Sequence, residues 1–528
     1  MSENPGTDTA RARDGSPWLA RAPLIAAALL ICLINGFNLD RLVRAGAPRD
    51  PWEATEVLEG WRSLLKMPVY ESSETGHSTH VYGALVPWAQ GEIFRWVGPN
   101  NVSGRVLTLL SALGAVALLA STMRGERSAW YLVVAVALVL GINHRSGGYF
   151  AENRPDMTAM LFSALGVLLL GRGLESRRWW LVVPGSACLV LGFFFKQTAA
   201  IFAAVPLCAL VLRWRRPTRS EVLFAAVPLA VSGGVIVGLK IFSPTVYYYM
   251  IEVPSAFGLQ WPGAIRNAWE LLVDSPLFLV LLGEWIVADG GSLRKDPRVL
   301  WVVAVLAVTV PFSAISSAKA GGTSNSNLPA LLPLMAFCVL RLPRLFKYLE
   351  ATTARLPARV LFGAFLALLV LMTAFPRITR KNNLIVAAST RDDAYGKVVA
   401  LAAKLPGTVI SPEDPTIALY AKRHAGRNIY SEFDTHLEAG GWPETPPRAV
   451  LTEIRAADYV VDVCNYWQDL LRDDLLRSLG FEPVPAASID PEYYRIWRRT
   501  ASATASSEID PPNPRVLTAG SGTGAVAR

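Results

Sequence analysis

About eleven apolar runs, most of them near the length that a helix needs to cross a bilayer, divide the first 376 residues of this chain. They lie near residues 22–39, 102–120, 128–142, 157–171, 179–195, 199–212, 221–242, 274–288, 299–317, 328–342 and 360–376. A helix crosses the hydrocarbon in roughly 17–25 residues. It also satisfies its own backbone there, as a loop or an open sheet edge cannot. The runs therefore constrain the chain to a polytopic α-helical membrane protein. Runs 128–142 and 274–288 are short and read as tilted or re-entrant pieces. The first run precedes further spans and lacks a small-residue cleavage site, so it reads as an anchor and not as a removed signal. Charged residues are only 18% of the chain, yet mean hydropathy is a modest +0.32. A sizeable polar part must dilute the spans.

The formal charge of +9 is shared unevenly. Residues 1–376 carry +10, residues 377–500 carry −1 and residues 501–528 are neutral. Excess positive charge between spans reports topology, because Lys and Arg stay on the cytoplasmic side. With the N-terminal segment 1–21 inside, Arg11, Arg13, Arg21, Arg124, Arg127, Arg172, Arg177, Arg178 and the groups Arg213 to Arg219, Arg294 to Arg298 and Arg341 to Arg359 all fall on the inner side. Beyond the first outer loop, the outer connections hold only Arg145, Arg154, Lys196, Arg266 and Lys319. An odd number of spans then places everything after 376 outside the cytoplasm, as in a multi-pass protein of a cell (inner) membrane. No aromatic and basic stripe points to nucleic acid. Cys464 is alone in the polar C-terminal region, so no disulfide forms within it.

Within the membrane module 22–376, the large first outer loop 40–101 is polar; residues 377–500 form the second polar region on that face. In the latter, an amphipathic stretch (Tyr395 to Leu405), a strand (Thr408 to Ser411), a helix-like run (Pro415 to His424), a second strand (Asp458 to Val463) and a final helix (Tyr466 to Leu479) predict an extracytoplasmic α/β domain. The tail 501–528, rich in small and polar residues, is expected to be disordered.

Chemistry concentrates on the outer face. In the first loop, Asp50 and Pro51 supply a helix cap and first position, and Glu53 completes an Asp-x-x-Glu capping box. Capping explains these residues locally but not an acidic cluster beside a span. A second acidic site, Glu152-Asn153-Arg154-Pro155-Asp156, stands just before the run from Met157, where Asp156 can cap that helix. By topology Asp50, Glu53, Glu152 and Asp156 gather at one membrane rim, where idle charge is costly. Lys196 interrupts two spans and reads either as a snorkelling lysine or as a phosphate clamp, with Arg154 and Lys319 as helpers. His77 and His80 fit an ordinary loop better than a metal site.

The order of these elements resembles a family. The loop-1 acids, Leu64-Leu65-Lys66-Met67-Pro68-Val69-Tyr70, Tyr82-Gly83-Ala84-Leu85, Gly104-Arg105-Val106-Leu107, Arg154-Pro155-Asp156, Lys196-Gln197-Thr198 and Asn327-Leu328-Pro329 are similar to the GT-C glycosyltransferases. The branch is that of protein mannosyltransferases and the aminoarabinose transferase of lipid A, over roughly residues 22–345, with the C-terminal region similar to accessory domains of that class. The resemblance implies transfer of a sugar from a polyprenyl-phosphate donor to a lipid, glycan or protein acceptor outside the cytoplasm. It implies Asp50 or Glu53 as base, Asp156 as second acid, and Lys196, Arg154 and Lys319 around the donor phosphate. Tyr82, Glu56 and Asn327 are the matching substrate-binding positions. A divalent metal, held by Asp50, Glu53 and Asp156, is compatible with the same pattern. The family's adjacent Asp-Glu pair is here Asp50-Pro51-Trp52-Glu53, and Met67 stands where the family has glycine. Two other classes use similar features: a transporter or lipid flippase with the acids as an ion path, and a non-catalytic envelope scaffold. No internal repeat of the transporter kind is visible.

Overall fold

The computed structural model describes residues 17–72, 77–79, 81–122, 129–213, 216–291, 296–319, 322–352, 356–376, 390–435, 445–464, 470–485 and 489–500. His80, most of the segment 1–21 and the tail 501–528 lie outside the described residues. The helices run α1 (Pro17–Arg44), α2 (Pro51–Leu64), α3 (Leu85–Val97), α4 (Asn101–Thr122), α5 (Ala129–Arg145), α6 (Asp156–Ser176), α7 (Val182–Phe195), α8 (Val205–Leu212) and α9 (Arg219–Phe242). After two one-turn helices, α10 (Pro244–Tyr247) and α11 (Val253–Ala256), come α12 (Trp261–Val273), α13 (Pro276–Asp289), α14 (Pro297–Ser317), α15 (Leu328–Thr352) and α16 (Leu356–Ala374).

Seven of these, α1, α4, α6, α9, α14, α15 and α16, are long and apolar enough to cross a membrane. Helices α12 and α13 meet that test only together, as a pair bent by 76°. Three shorter apolar helices, Trp130–Arg145, Trp179–Phe195 and Gln197–Leu212, accompany them. Every apolar run of the sequence falls on one of these helices. Two details differ from the hydropathy reading. The run 199–212 opens as a tight 3-10 stretch, Gln197–Ala204, which follows the extended Lys196. The run 274–288 is one arm of the bent pair; its other arm, α12, is amphipathic and carries no continuous apolar signal. Buried Leu, Val, Ala and Phe side chains of α1, α5, α6, α14, α15 and α16 join in one apolar core.

The C-terminal region has α17 (Thr390–Lys404), β1 (Val409–Ile410), α18 (Pro415–Lys422), α19 (Ile429–Thr435), α20 (Arg448–Ala456), β2 (Tyr459–Val463), α21 (Asp473–Ser478), β3 (Phe481–Val484) and β4 (Tyr494–Arg499). The sheet order is β1-β2-β4-β3, with β1 parallel to β2 and β4 antiparallel to both neighbours. Successive strand residues face opposite ways. Thus Val409, Val461 and Ile496 pack with α17 and α18, while Ile410, Val460 and Trp497 pack with α19 and α20. The sheet is covered on both faces. Of the expected final helix, the described residues contain only the short α21. Helix α19 and the β3–β4 hairpin carry no clear sequence signal, whereas α20 is short but amphipathic, with Val450 and Ile454 buried on one face.

This region grips the first loop. The backbone N–H of Ala47 donates to Asp392 (3.0 Å), Asn428 Nδ2 to the Pro51 carbonyl (2.9 Å) and Trp52 Nε1 to Asp434 (2.7 Å). Val57 of α2, Phe94 of α3 and Leu419 of α18 close an apolar contact beside them. Helix α2 is thereby held between the helical bundle and the C-terminal sheet region.

Candidate active site

The site begins with the first turn of α2. Asp50 has extended backbone, and its Oδ1 accepts the Glu53 backbone N–H at 2.8 Å, as a capping aspartate does. Pro51 follows at the first helical position. Glu53 reaches back, but to the N–H of Arg49, one residue before the cap, at 2.7 Å. Its two oxygens are otherwise taken by Arg105, which donates from Nε and Nη2 at 2.7 Å each, and by the Asn153 N–H at 2.7 Å. Glu53 and Arg105 are both fully buried. Arg105 also donates to the carbonyls of Ala45 and Ala47. The pair pins the end of α1, the start of α2 and the loop before α6 to one point on α4.

Two close approaches make this geometry reachable. A side chain at Gly104 would meet Asn153 Oδ1 at 2.0 Å, so only glycine lets the loop 150–155 lie on α4. A side chain at Gly83 would meet the Phe194 carbonyl oxygen at 1.8 Å. Glycine there brings Tyr82 beside the end of α7, with the Gly83 N–H donating to the Phe195 carbonyl (3.2 Å).

Around these struts lie two ion pairs joined by an aromatic ring. Arg154 donates from Nη2 to Asp50 Oδ2 (2.5 Å) and from Nε to Glu152 (3.1 Å). Its Nη1 donates to the Tyr82 hydroxyl at 2.8 Å, and its guanidinium lies 5.6 Å from the centre of the Trp52 ring. Lys196 Nζ donates to Asp156 Oδ1 (2.5 Å) and stands 4.9 Å over the Tyr82 ring. Lys196 is buried and ion-paired, not extended to water. No side chain caps α6 at Pro155; Asp156, in its first turn, faces Lys196 instead. Asp50, Tyr82, Arg154, Asp156 and Lys196 thus converge from α2, two loops, α6 and the α7 end. Glu56, one turn along α2 and buried, feels the charges of Arg154, Asp156 and Lys196.

The electrostatics divide the acids. Burial alone would raise the Asp50 carboxyl, but the Arg154 guanidinium, with hydrogen bonds from Glu152 and the Glu53 N–H, holds it below the usual carboxylate range. Glu152 moves the other way: burial first, then the neighbouring Asp50 charge, raise it well above that range in spite of Arg154 and Arg49. Asp50 is therefore the ionised member of the pair and Glu152 the proton carrier. Burial also raises Glu56 strongly, with Glu59 and Asp156 adding to it against Arg154, and raises Glu59 to about 7. Of the carboxylates in the cluster, Asp50 combines ionisation with some exposure, its side chain being 14% accessible.

Lys319 and Asn327 are not brought into this cluster. Lys319 Nζ donates to the Pro254 carbonyl (2.9 Å), and both residues line a separate polar cavity of about 590 Å³. That cavity abuts the cluster through Thr323, whose hydroxyl lies 3.2 Å from that of Tyr149, and through Gly147, whose carbonyl accepts from Arg49 (3.1 Å). The trio Asp50, Glu53 and Asp156 does not fit a divalent cation as arranged. Each carboxylate is engaged by a different cation of the chain, Arg154, Arg105 and Lys196. Among the described residues no three His, Cys, Asp or Glu side chains gather closely enough to hold a metal. His77 lies in the loop beyond α2, where burial first, then Arg62 and Arg427, lower it to about 3 and keep it neutral.

Three members of the site have weaker signals in the sequence. Arg105 interrupts the apolar run 102–120, and an ionisable residue inside a span marks a buried partner. Glu152 has the signal of its acidic neighbours but no spacing that separates its role from theirs. Arg49, which donates to Glu152 at 3.3 Å, has none beyond its place before Asp50.

The family profile of dolichyl-phosphate-mannose-protein mannosyltransferases matches residues 83–248, a stretch that includes Arg105, Arg154, Asp156 and Lys196 but not Asp50. The structure is similar to that of ArnT from Cupriavidus metallidurans bound to undecaprenyl phosphate. The two are 13% identical with a TM-score of 0.51, over 91% of this chain and 98% of that one. The apo state of the same protein gives 14% and 0.49, over 92% and 99%. The apo oligosaccharyltransferase of Archaeoglobus fulgidus gives 14% and 0.44, over 74% of this chain and 58% of that one. No curated protein matches the sequence. The fold of this chain is that of the GT-C class.

Proposed function

We propose that this GT-C-fold chain is a membrane glycosyltransferase that moves a sugar from a polyprenyl-phosphate carrier to an acceptor hydroxyl on the outer membrane face. The observation that carries the reading is the convergence of an ionised, partly accessible Asp50 with Arg154, Tyr82 and the Lys196–Asp156 pair at one rim of the bundle. The family match over residues 83–248 and the fold support it.

In this reading Asp50 takes the acceptor O–H proton as the acceptor oxygen attacks the anomeric carbon. The bond from that carbon to the phosphate oxygen breaks on the opposite side, and the electron pair leaves with the polyprenyl phosphate. A single displacement of this kind inverts the anomeric centre. Lys196 keeps two N–H donors beyond the one given to Asp156 and receives the phosphate charge, with Arg154 as neighbour. Glu53 holds α2 through Arg105 and does not meet the substrate. Asp156 orients Lys196.

The test is transfer by the purified full chain from a polyprenyl-phosphate sugar. Asp50→Asn is expected to lower kcat about 10²–10⁴-fold, the usual contribution of a general base. Lys196→Ala is expected to raise the donor KM. Full transfer by the combined Asp50→Asn, Glu53→Gln and Asp156→Asn variant overturns the reading, and ion or lipid flux through sealed vesicles without sugar transfer favours a transporter.

A further inference from the structure

Arg154 lies among three aromatic rings. Its guanidinium carbon is 5.6 Å from the centre of the Trp52 ring, 5.9 Å from that of Tyr82 and 6.0 Å from that of Tyr149. Ring faces attract a guanidinium, indole most strongly, and they do so best where water is excluded. The rings also leave the planar group few directions, and the one taken sends Nη2 to Asp50. Two of the rings are anchored within the bundle. Tyr82 is held through the Gly83 N–H bond to the Phe195 carbonyl, and the Tyr149 hydroxyl lies 3.2 Å from that of Thr323. Trp52 is anchored from the other side.

The anchor is α19, a helix with two faces. Ile429, Tyr430 and Phe433 are buried with Ile410, Val460 and Trp497 of the sheet, so the helix is fixed to the C-terminal region. At a spacing of three, Asn428, Ser431 and Asp434 share another stripe, and each meets the first turn of α2. Asn428 Nδ2 donates to the Pro51 carbonyl (2.9 Å), the Ser431 and Thr55 hydroxyls are 3.1 Å apart, and Trp52 Nε1 donates to Asp434 Oδ2 (2.7 Å). The Tyr430 ring supports the indole, with centroids 6.0 Å apart. An N–H that meets a carboxylate makes a strong, directed hydrogen bond. The ring that covers Arg154 therefore takes its tilt from a residue 382 positions later.

We infer that Trp52 is a positioning residue through which α19 holds the Arg154 guanidinium against Asp50, so that the C-terminal region completes the active site. That the site is an active one rests on the glycosyltransferase reading; the link from α19 to Asp50 rests on the contacts alone. The link has a sign that other effects do not share. Burial raises the Asp50 carboxyl, and Arg154, first among the opposing influences, lowers it. A looser Arg154 lets Asp50 titrate at higher pH. Asp50 also faces Glu152 and Tyr149 from the loop before α6, with Tyr82 and Arg49 beyond them, and these stay in place in the variants below. From α19 the charge behind Trp52 is that of Asp434. Losing that negative charge, or admitting water in place of the indole, moves a carboxyl the other way, to lower pH.

The experiment titrates Asp50 in the full chain in lipid nanodiscs, by the carboxyl infrared band that Asp50→Asn removes, with no sugar donor present. Asp434→Asn keeps an acceptor for the indole N–H and is expected to titrate at the parent's pH or slightly below it. Asp434→Ala, which removes the acceptor, and Trp52→Leu, which removes the ring, are expected to titrate at higher pH. Trp52→Phe keeps a ring over the guanidinium and is expected to lie between Trp52→Leu and the parent. In transfer assays the acidic limb of kcat/KM is expected to move with each titration. Asp434→Ala titrating no higher than Asp434→Asn overturns the inference, and that pair decides alone if Trp52→Leu does not fold. A folded Trp52→Leu that titrates at or below the parent's pH overturns it as well. Titrations that move as expected, in a chain that transfers no sugar, sink the glycosyltransferase reading and leave the link standing. Sugar transfer with unmoved titrations keeps that reading and overturns the link.

Discussion

Glu53 and Arg105 form a two-pronged ion pair, 2.7 Å at each contact, with neither side chain open to solvent. Removing one partner of a buried pair leaves the other charge uncompensated, which costs about 3–5 kcal/mol. Arg105→Ala is therefore expected to lower the unfolding midpoint sharply and to lose transfer as a consequence. Arg49 and Asn153 donate to different oxygens of Glu53, so Glu53→Gln keeps an acceptor for one of the two N–H groups and is expected to cost less than Glu53→Ala, which keeps none. Thermal unfolding of the three variants in one detergent checks the order. A Glu53→Gln variant as stable as the parent, but without transfer, would return Glu53 to the list of bases.

The charge of Arg154 sets where Asp50 titrates. Burial pushes that carboxyl up, and Arg154, with two hydrogen bonds, pulls it below its ordinary value. A base must be ionised, so kcat/KM falls as pH drops through this lowered pKa and stays flat above it. With Arg154→Met, burial acts with less opposition, and the acidic limb is expected to move to higher pH. A pH–rate profile that keeps its acidic limb in this variant removes Asp50 from the role of base.

Glu59, buried on α2, titrates at about 7 because burial outweighs the pull of Arg62. Its native pKa lies above that of the unfolded chain, so the folded state holds the extra proton. That contribution to stability is complete below about pH 4.5 and is lost as pH rises through 7. The loss amounts to roughly 3 kcal/mol at most. Glu59→Gln is expected to flatten the decline in melting temperature between pH 5 and about 8. An identical pH slope in the variant and the parent refutes the assignment.

The hydrogen bond from Trp52 Nε1 to Asp434 couples α2 to α19. Asp434→Ala leaves the indole N–H without this acceptor, at about 1–3 kcal/mol. The effect is expected to be local. Amide exchange should quicken in α2 and α19, while the spans α6, α14 and α15 keep their protection. Uniform exchange across all helices would show that the contact carries no special weight.

Much of the membrane architecture was legible because hydrocarbon imposes a coarse rule, and a run of apolar residues obeys it whatever its neighbours do. The exceptions share a cause. Helix α12 is apolar on one side only, so its signal is divided, and α13 alone looks like a short span. Strand β3 contains Pro483, which marks an edge strand or none, and the sheet order places it at the edge. In the site, Asp50, Asp156 and Lys196 stood out as charges at span ends. Their pairing did not, since Lys196 meets Asp156 across 40 residues and Arg154 meets Asp50 across 104. Glu53 and Asp50 looked equivalent on paper; Arg105, reaching across from α4, makes Glu53 a fully buried strut, while Asp50 keeps some exposure and is the one proposed as base. Lys319 and Asn327 shared the polar character of the site but occupy the neighbouring cavity.

The grip of the C-terminal region on α2 joins residues 377 and 382 positions apart, Asn428 to Pro51 and Trp52 to Asp434. A chain is made from its N-terminus, and its early parts fold while the rest is still being synthesised. Helix α2 therefore spends most of synthesis without its C-terminal support, beside a bundle that is already being inserted. The Asp50 end of α2 acquires its full set of neighbours only when the final fifth or so of the chain has emerged and folded. A nascent or prematurely terminated copy would carry α2 without the Asn428 and Asp434 contacts, so the arrangement couples the final seating of α2 to synthesis of the C-terminal region.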